Sequence, residues 1–236
     1  MIKPFQFKQF EVKQDKTAMK IGTDGVLLGA WTSHPDPQYI LDIGTGTGVI
    51  ALMMAQRFPK AKIIAIEIDD NAFTQAKENF AQSKWKDRLT AIHSSLQDFQ
   101  STIQFDLIVS NPPFFNQSFL PTEKNRATAR HTAELSFEKL LLHTKKMMAK
   151  NGKAAFIIPY ESSNSFQKLA ESNKLYLHNW CKVKGNSASK FKRSLFSFEG
   201  QKTEDINDTK ALVIEKERHQ YTEEYKALVK DFYLKM

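Results

Sequence analysis

Two short stretches carry residues that could do chemistry. The first is Asn111-Pro112-Pro113-Phe114, set just after the apolar run FDLIV at 105–109. Two prolines remove two backbone donors and stiffen the chain, and each pushes its predecessor toward extended geometry. The product is a rigid corner with bare carbonyls, an amide side chain at its head and aromatic rings just after. A plain turn would use Gly or Asp; this composition suits a place where something docks. The second stretch, LDIGTGTGVIAL at 41–52, joins a strand to a helix through Gly44, Gly46 and Gly48. Glycines there let the backbone turn tightly and let a ligand touch it directly. Glu67 ends the next strand, 19 residues past Gly48. A carboxylate at that place can take both hydroxyls of a ribose, so the pair of features points to a nucleoside-bearing cofactor.

The dinucleotide fingerprint G-x-G-x-x-G fails here, because Val49 stands at its sixth position. The pattern G-x-G-x-G preceded by Asp42 instead resembles the first motif of class I methyltransferases. That resemblance implies S-adenosylmethionine, held by Asp42, Gly44, Thr45, Gly46, Gly48, Glu67 and Ile68. The corner Asn111 to Phe114 resembles the catalytic motif of amino-methylating members of that class. The implied chemistry accounts for its composition. The lone pair of an exocyclic base amine is delocalised into the ring, so the amine is a poor nucleophile. Two acceptors, the Asn111 side-chain oxygen and the Pro112 carbonyl, can align it and stabilise the charge that grows on nitrogen. Phe114 offers a face on which a flat base stacks, worth roughly 1–3 kcal/mol. Asn111 borders the cofactor as well. No strong base and no metal are needed, and the six histidines have no metal-ligand spacing. His131 and His143 read as surface or helix-packing residues.

Other contacts follow from the same resemblance. Ser95 stands where the family often has an aspartate at the adenine edge, and Asp98 is the alternative. Ala18 to Trp31 resembles the segment that closes over the methionine part of the cofactor. Thr23 and Asp24 are its candidates for the cofactor's charged end; a helix N-cap is the other role open to Asp24.

These residues need a scaffold. YILDI (39–43), AKIIAIEI (61–68), RLTAIHS, FDLIVS and KAAFIIP (153–159) read as buried strands. Helical segments lie between them: 49–58, 69–83 with capping residues at its start, and 135–150, which Asn151-Gly152 is expected to end as a left-handed C-cap. The alternation implies an α/β fold with a doubly wound, mostly parallel seven-stranded sheet. After a helix near 161–172, three strand-like runs suggest an antiparallel edge hairpin, followed by an amphipathic terminal helix. The whole reads as a single domain, 1–236: an N-terminal segment (1–38), a cofactor-binding core (39–160), and edge strands with the last helix (161–236). Two polar loops stand out. GNSASKFK (185–192) reads as mobile, and 116–134 is long for a compact domain, as functional loops often are.

Composition narrows the function classes. The chain has 236 residues, 41% of them hydrophobic, enough for one α/β domain. Its longest apolar run, VIALMMA, is far too short to span a bilayer, and the start lacks a signal-peptide core. One cysteine, Cys181, excludes an intrachain disulfide and a cysteine zinc cluster, so a cytoplasmic protein is expected. The formal charge is +8, compatible with a polyanionic partner. Lys190, Lys192 and Arg193, with Arg126 and Arg130 on the long loop, are the candidates to grip RNA phosphates on either side of the pocket.

Five stretches together are similar to the bacterial tRNA1(Val) adenine-37 N6-methyltransferases: FQFKQFEVKQDKTAMKIGTDGVLLGAW, LDIGTGTGVIALMMAQR, SNPPFF, ARHTAELSFEKLL and YTEEYKALVKDFYLKM. The resemblance spans nearly the whole chain. It implies a tRNA substrate, methylated at N6 of the adenine beside the anticodon. Three other readings use the same motifs: guanine-N2 methylation of ribosomal RNA, glutamine-N5 methylation of a protein, and a cofactor-binding RNA protein without catalysis. The first family often has a longer, duplicated chain. The second carries an added N-terminal helical domain for which this chain is too short. The intact Asn111 speaks against the third.

Overall fold

The computed structural model describes residues 3–113, 135–202 and 209–236; Phe114, Arg126, Arg130 and His131 lie outside them. Two short strands, β1 (Phe5–Gln6) and β2 (Glu11–Val12), precede helix α1 (Thr23–Trp31). The central elements are β3 (Tyr39–Ile43), α2 (Val49–Arg57), β4 (Lys62–Glu67), α3 (Asp70–Gln82), β5 (Leu89–His93) and β6 (Phe105–Ser110). Beyond the corner come α4 (Phe137–Met147), β7 (Met148–Pro159), α5 (Ser163–Ser172), β8 (Tyr176–Lys184) and β9 (Arg193–Glu199). The chain closes with β10 (Lys210–Val213), the small pair β11 (Glu215–Glu217) and β12 (Gln220–Tyr221), and α6 (Glu223–Val229).

The main sheet runs β10-β8-β9-β7-β6-β3-β4-β5. From β7 to β5 all pairs are parallel, and β9 is antiparallel to both β7 and β8. The α/β class and the antiparallel edge are as expected. The count is corrected from seven strands to eight: β10 adds to the outer edge, parallel to β8. Its unpaired neighbour offered a free ladder, and Leu212 is buried on joining it.

Helices α1, α2, α3 and α6 share one core with the sheet, and α4 and α5 share the other. Phe156, Phe166, Phe196 and Phe198 interlock in the second core, ring centroids 5.3 to 6.2 Å apart. Each such fully buried ring contributes about 1.5–3 kcal/mol. Asp69 caps α3 by accepting from Ala72 N at 2.8 Å, as its type and place predict. Asn151-Gly152 does not cap a helix. Helix α4 ends at Met147, and the pair lies inside β7, where the register against β6 shifts. A Cβ on Gly152 would stand 2.8 Å from the Phe105 carbonyl oxygen, so glycine serves close approach there rather than a left-handed turn.

The strand order reverses direction between β3 and β6, the first going on to β4 and β5, the second to β7. In open α/β sheets that switch point, at the carboxyl ends of the strands, is where ligands bind.

Candidate active site

At the switch point lies a cavity of about 250 Å³. The turns after β3, β4, β5 and β6 each give it a wall: Gly44 to Thr47, Glu67 to Asp69, Ser94 to Gln97, and Asn111 with Pro113. The fifth wall is N-terminal, Thr17 to Gly22.

The glycine loop is shaped by its own hydrogen bonds. Gly44 N and Thr45 N both donate to Ile66 O, at 2.9 and 3.1 Å, tying the loop to the end of β4. Gly44 and Gly46 take φ of +69° and +58°, values that cost an L side chain roughly 1–2 kcal/mol. A Cβ on either would meet nothing within 4 Å, so the space over the loop is open. Gly48, at φ +84°, has a second reason as well: a Cβ there would come 2.5 Å from the Phe80 ring, which packs α3 on the loop.

Glu67 turns its carboxylate back over the same loop. One oxygen accepts from Gly46 N at 2.8 Å, the other from Ile68 N and Asp69 N at 2.9 and 3.0 Å. Ile68 lines the cavity, and its carbonyl meets His93 Nε2 at 2.9 Å. Asp42 lies beneath the loop, fully buried and outside the cavity wall. One of its oxygens accepts from Thr45 Oγ1 at 2.6 Å and from Ala51 N at 3.2 Å; the other has no partner among the described residues. Burial pushes this carboxyl up to about 7, against the pull of the Thr45 and Ala51 bonds and with help from the nearby Glu67 charge.

Ser95 lines the cavity and donates its hydroxyl to Asp98 at 2.6 Å, so the two candidates for the adenine edge form one pair with Ser95 inside. Thr23 and Asp24 are not part of the wall. Gly22 is the N-cap of α1 without a side-chain bond, and Asp24 sits in its first turn. Its carboxylate takes the Arg193 Nε proton at 2.7 Å. Arg193 therefore stands at the start of β9 rather than on the loop, while Lys190 and Lys192 are exposed. That loop is a formed turn: Asn186 Oδ1 accepts from Ala188 N and Ser189 N at 3.1 and 2.9 Å.

Asn111 follows β6, whose last residue Ser110 donates to Ile43 O at 2.9 Å and locks the two strand ends together. The Asn111 side-chain oxygen is buried in the cavity wall with no hydrogen-bond partner among the described residues. An amide oxygen left so costs about 1–3 kcal/mol. Pro112 behind it is buried.

Two residues that position the site are not evident from the sequence motifs. Asn79 Nδ2 donates to Thr47 O at 2.8 Å and to Lys13 O at 2.9 Å, and its Oδ1 accepts from Lys13 N at 2.9 Å. Gln75 Oε1 accepts from Lys16 N at 3.0 Å. These two side chains bind the N-terminal segment to α3 and hold it over the cavity. Their signal was polar residues at buried positions of an amphipathic helix.

Residues 17–169 match the methyltransferase small domain family. The chain belongs to that family. Over nearly its full length it is also similar to proteins named tRNA1(Val) (adenine(37)-N6)-methyltransferase, and it belongs with them. The one from Flavobacterium psychrophilum is 48% identical over 98% of this chain and 100% of its own. That from Christiangramia forsetii is 45% identical over 99% and 98%. Among solved structures, a protein of Agrobacterium tumefaciens described as a predicted O-methyltransferase superposes with a TM-score of 0.69. It is 16% identical, covering 89% of this chain and 96% of that one. Pyrococcus horikoshii TYW2 in complex with MeSAdo gives 0.59 at 17% identity, over 83% and 70%. Both share the fold. In this methyltransferase the residues present fit S-adenosylmethionine: an open glycine cradle, a carboxylate beside it, and an unpaired buried amide oxygen facing the same space. No helix among the described residues is long and apolar enough to cross a membrane.

Proposed function

We propose that the chain methylates N6 of adenine 37, beside the anticodon of tRNA1(Val), with S-adenosylmethionine as donor. The observation that carries this reading is the Asn111 side-chain oxygen, buried without a partner in the wall that the glycine loop shares. A buried acceptor kept free is waiting for a donor, and an exocyclic amine is one of the right size and polarity. The named relatives supply the tRNA and the position.

When bound, the cofactor supplies an electrophilic methyl group. Gly44, Gly46 and Glu67 hold its nucleoside end, with Ser95 at the base edge. The Thr17–Gly22 wall covers the other end, so Thr23 and Asp24 act through that wall. Asn111 Oδ1 and the Pro112 carbonyl accept the two amine hydrogens and turn the nitrogen lone pair toward the methyl carbon. They also stabilise the positive charge as it forms. The proton becomes acidic once nitrogen is alkylated and leaves to solvent. Phe114 stacks on the adenine. Lys190 and Lys192 hold phosphates, as do Arg126 and Arg130. The protein works as a monomeric single domain in the cytoplasm, on the anticodon loop.

The test is methyl transfer from labelled cofactor to bulk tRNA, ribosomal RNA and protein in parallel, with mass spectrometry of tRNA nucleosides from cells with and without the gene. N6-methyladenosine in valine tRNA, lost with the gene, is expected. Label in ribosomal guanine or in protein glutamine would replace this reading with one of its rivals.

A further inference from the structure

Outside the cavity, two aromatic rings stand together at the same end of the sheet. Tyr160 directly follows β7, and Phe191 comes two residues before β9; their centroids are 5.3 Å apart at 40°. Both are half-buried. The strand register places them. Ser110 is level with Phe156 across the β6–β7 ladder. Tyr160 is therefore one strand over from Asn111 and three residues higher, about 10 Å at the rise of an extended chain. That exceeds the ~3.4 Å rise between stacked bases, as it must where the target base has left the stack.

The backbone under the rings is fixed. Tyr160 N donates to Lys192 O at 3.1 Å, and Tyr160 O accepts from Ser163 Oγ at 2.6 Å. Ser163 is itself bonded to Ser194, which also takes the Trp180 indole proton. Such a network serves to hold two rings in place more than to fill the core, because the rings themselves are only partly covered. The surroundings are cationic. Lys184 Nζ lies 5.6 Å from the Phe191 centroid, and Lys190 and Lys192 flank the ring in sequence, both exposed. Glu161 is the one acidic neighbour next in sequence to either ring. A half-buried aromatic pair with lysines beside it in space and in sequence, next to the pocket that would take the target base, suits an unpaired RNA base with its phosphate.

We propose that Tyr160 and Phe191 form a shelf on which the base next to the methylated adenine stacks, so that the adenine beside it swings into the cavity. This rests on the tRNA reading above. Holding the neighbouring base costs the target its stacking partner, which favours its extrusion.

The experiment uses the full chain and an anticodon stem-loop RNA, intact or abasic at one neighbour of adenine 37, each side in turn. For Phe191→Ala we expect RNA affinity to fall about tenfold or more, with the cofactor dissociation constant within twofold of wild type. Phe191→Leu keeps the bulk without the flat face and should behave the same, whereas Phe191→Tyr should bind like wild type. One of the two abasic RNAs should bind wild type as weakly as intact RNA binds Phe191→Ala, and lose nothing further on that variant. Full affinity in Phe191→Leu, or abasic losses that persist undiminished in Phe191→Ala, would overturn the shelf alone. An intact loop that wild type neither binds nor methylates would overturn the tRNA reading with it.

Discussion

Arg193 and Asp24 lie 169 residues apart in the chain and meet at 2.7 Å, Nε to Oδ2. Each side chain keeps only about a third or less of its exposure, 32% and 25%. The bond joins the start of β9, beside the Lys190–Lys192 turn, to the first turn of α1, just after the Thr17–Gly22 wall. The strand end beside the lysines proposed to hold RNA and the helix that follows the cavity's N-terminal wall are thus fastened to one another by a charge-assisted bond.

A double-mutant cycle tests that fastening. Asp24→Asn and Arg193→Gln are each expected to weaken cofactor binding severalfold, and the pair together little more than either alone. The coupling should be of the order of 1–2 kcal/mol. Strictly additive losses in calorimetry would mean that the two residues act separately.

Asn111→Ala should keep cofactor binding and lower turnover by about 10²-fold or more, the scale for one lost charge-stabilising group. Single-turnover rates beside calorimetry would separate the two. The folded protein should also become more stable, because an unpaired buried amide is removed. A turnover close to wild type takes Asn111 out of the mechanism.

Asp42 gives the protein a pH signature. Its carboxyl is raised by burial to about 7 from an ordinary value of 3.8, so the unfolded chain ionises first. Its contribution to stability is therefore intact below pH 4, falls between about 4 and 7, and stays low above 7. The full loss is on the order of a few kcal/mol. Asp42→Asn, with a side chain that can still accept from Thr45 and Ala51, should gain on wild type as pH rises through that window. Denaturant titrations from pH 4 to 8 check it; a constant difference between the two proteins would show that Asp42 is charged throughout.

Lys190→Ala with Lys192→Ala should lower the salt dependence of tRNA binding, by nearly one unit of slope for each phosphate that these lysines hold. Cofactor affinity should be unchanged, since both side chains are exposed and outside the cavity wall. Equal slopes for variant and wild type would reduce these lysines to solubilising charges.

What could be foreseen from the sequence was local or repeated. The glycine loop, the Asp69 cap and the apolar strands have their causes within a few residues, and all stand where expected. Asn151-Gly152 shows the limit of local preference. The pair favours a left-handed turn, yet pairing of β7 with β6 on one side and β9 on the other outweighs it. The N-terminal wall was foreseeable only in outline. Which of its residues face the cavity depends on Asn79 and Gln75, whose hydrogen bonds reach 66 and 59 residues back along the chain. Arg193 read as a phosphate ligand from its basic neighbours, and only the folded chain brings Asp24 to it.

Early and late parts of the described chain meet. Lys8 N donates to Phe232 O at 2.8 Å, and Phe7 bridges Tyr233. The segment that leads into the cofactor wall is thus moored to residues that a ribosome adds long after it. While the protein is being made, the glycine loop, the Asn111 corner and the bonds from Asn79 and Gln75 to the wall can already be in place, but the Phe7–Lys8 end of that segment has no mooring until Tyr233 emerges. A chain stopped at Lys230 should therefore keep the wall's hold on α3, lose its second anchor, and bind cofactor less well than the whole.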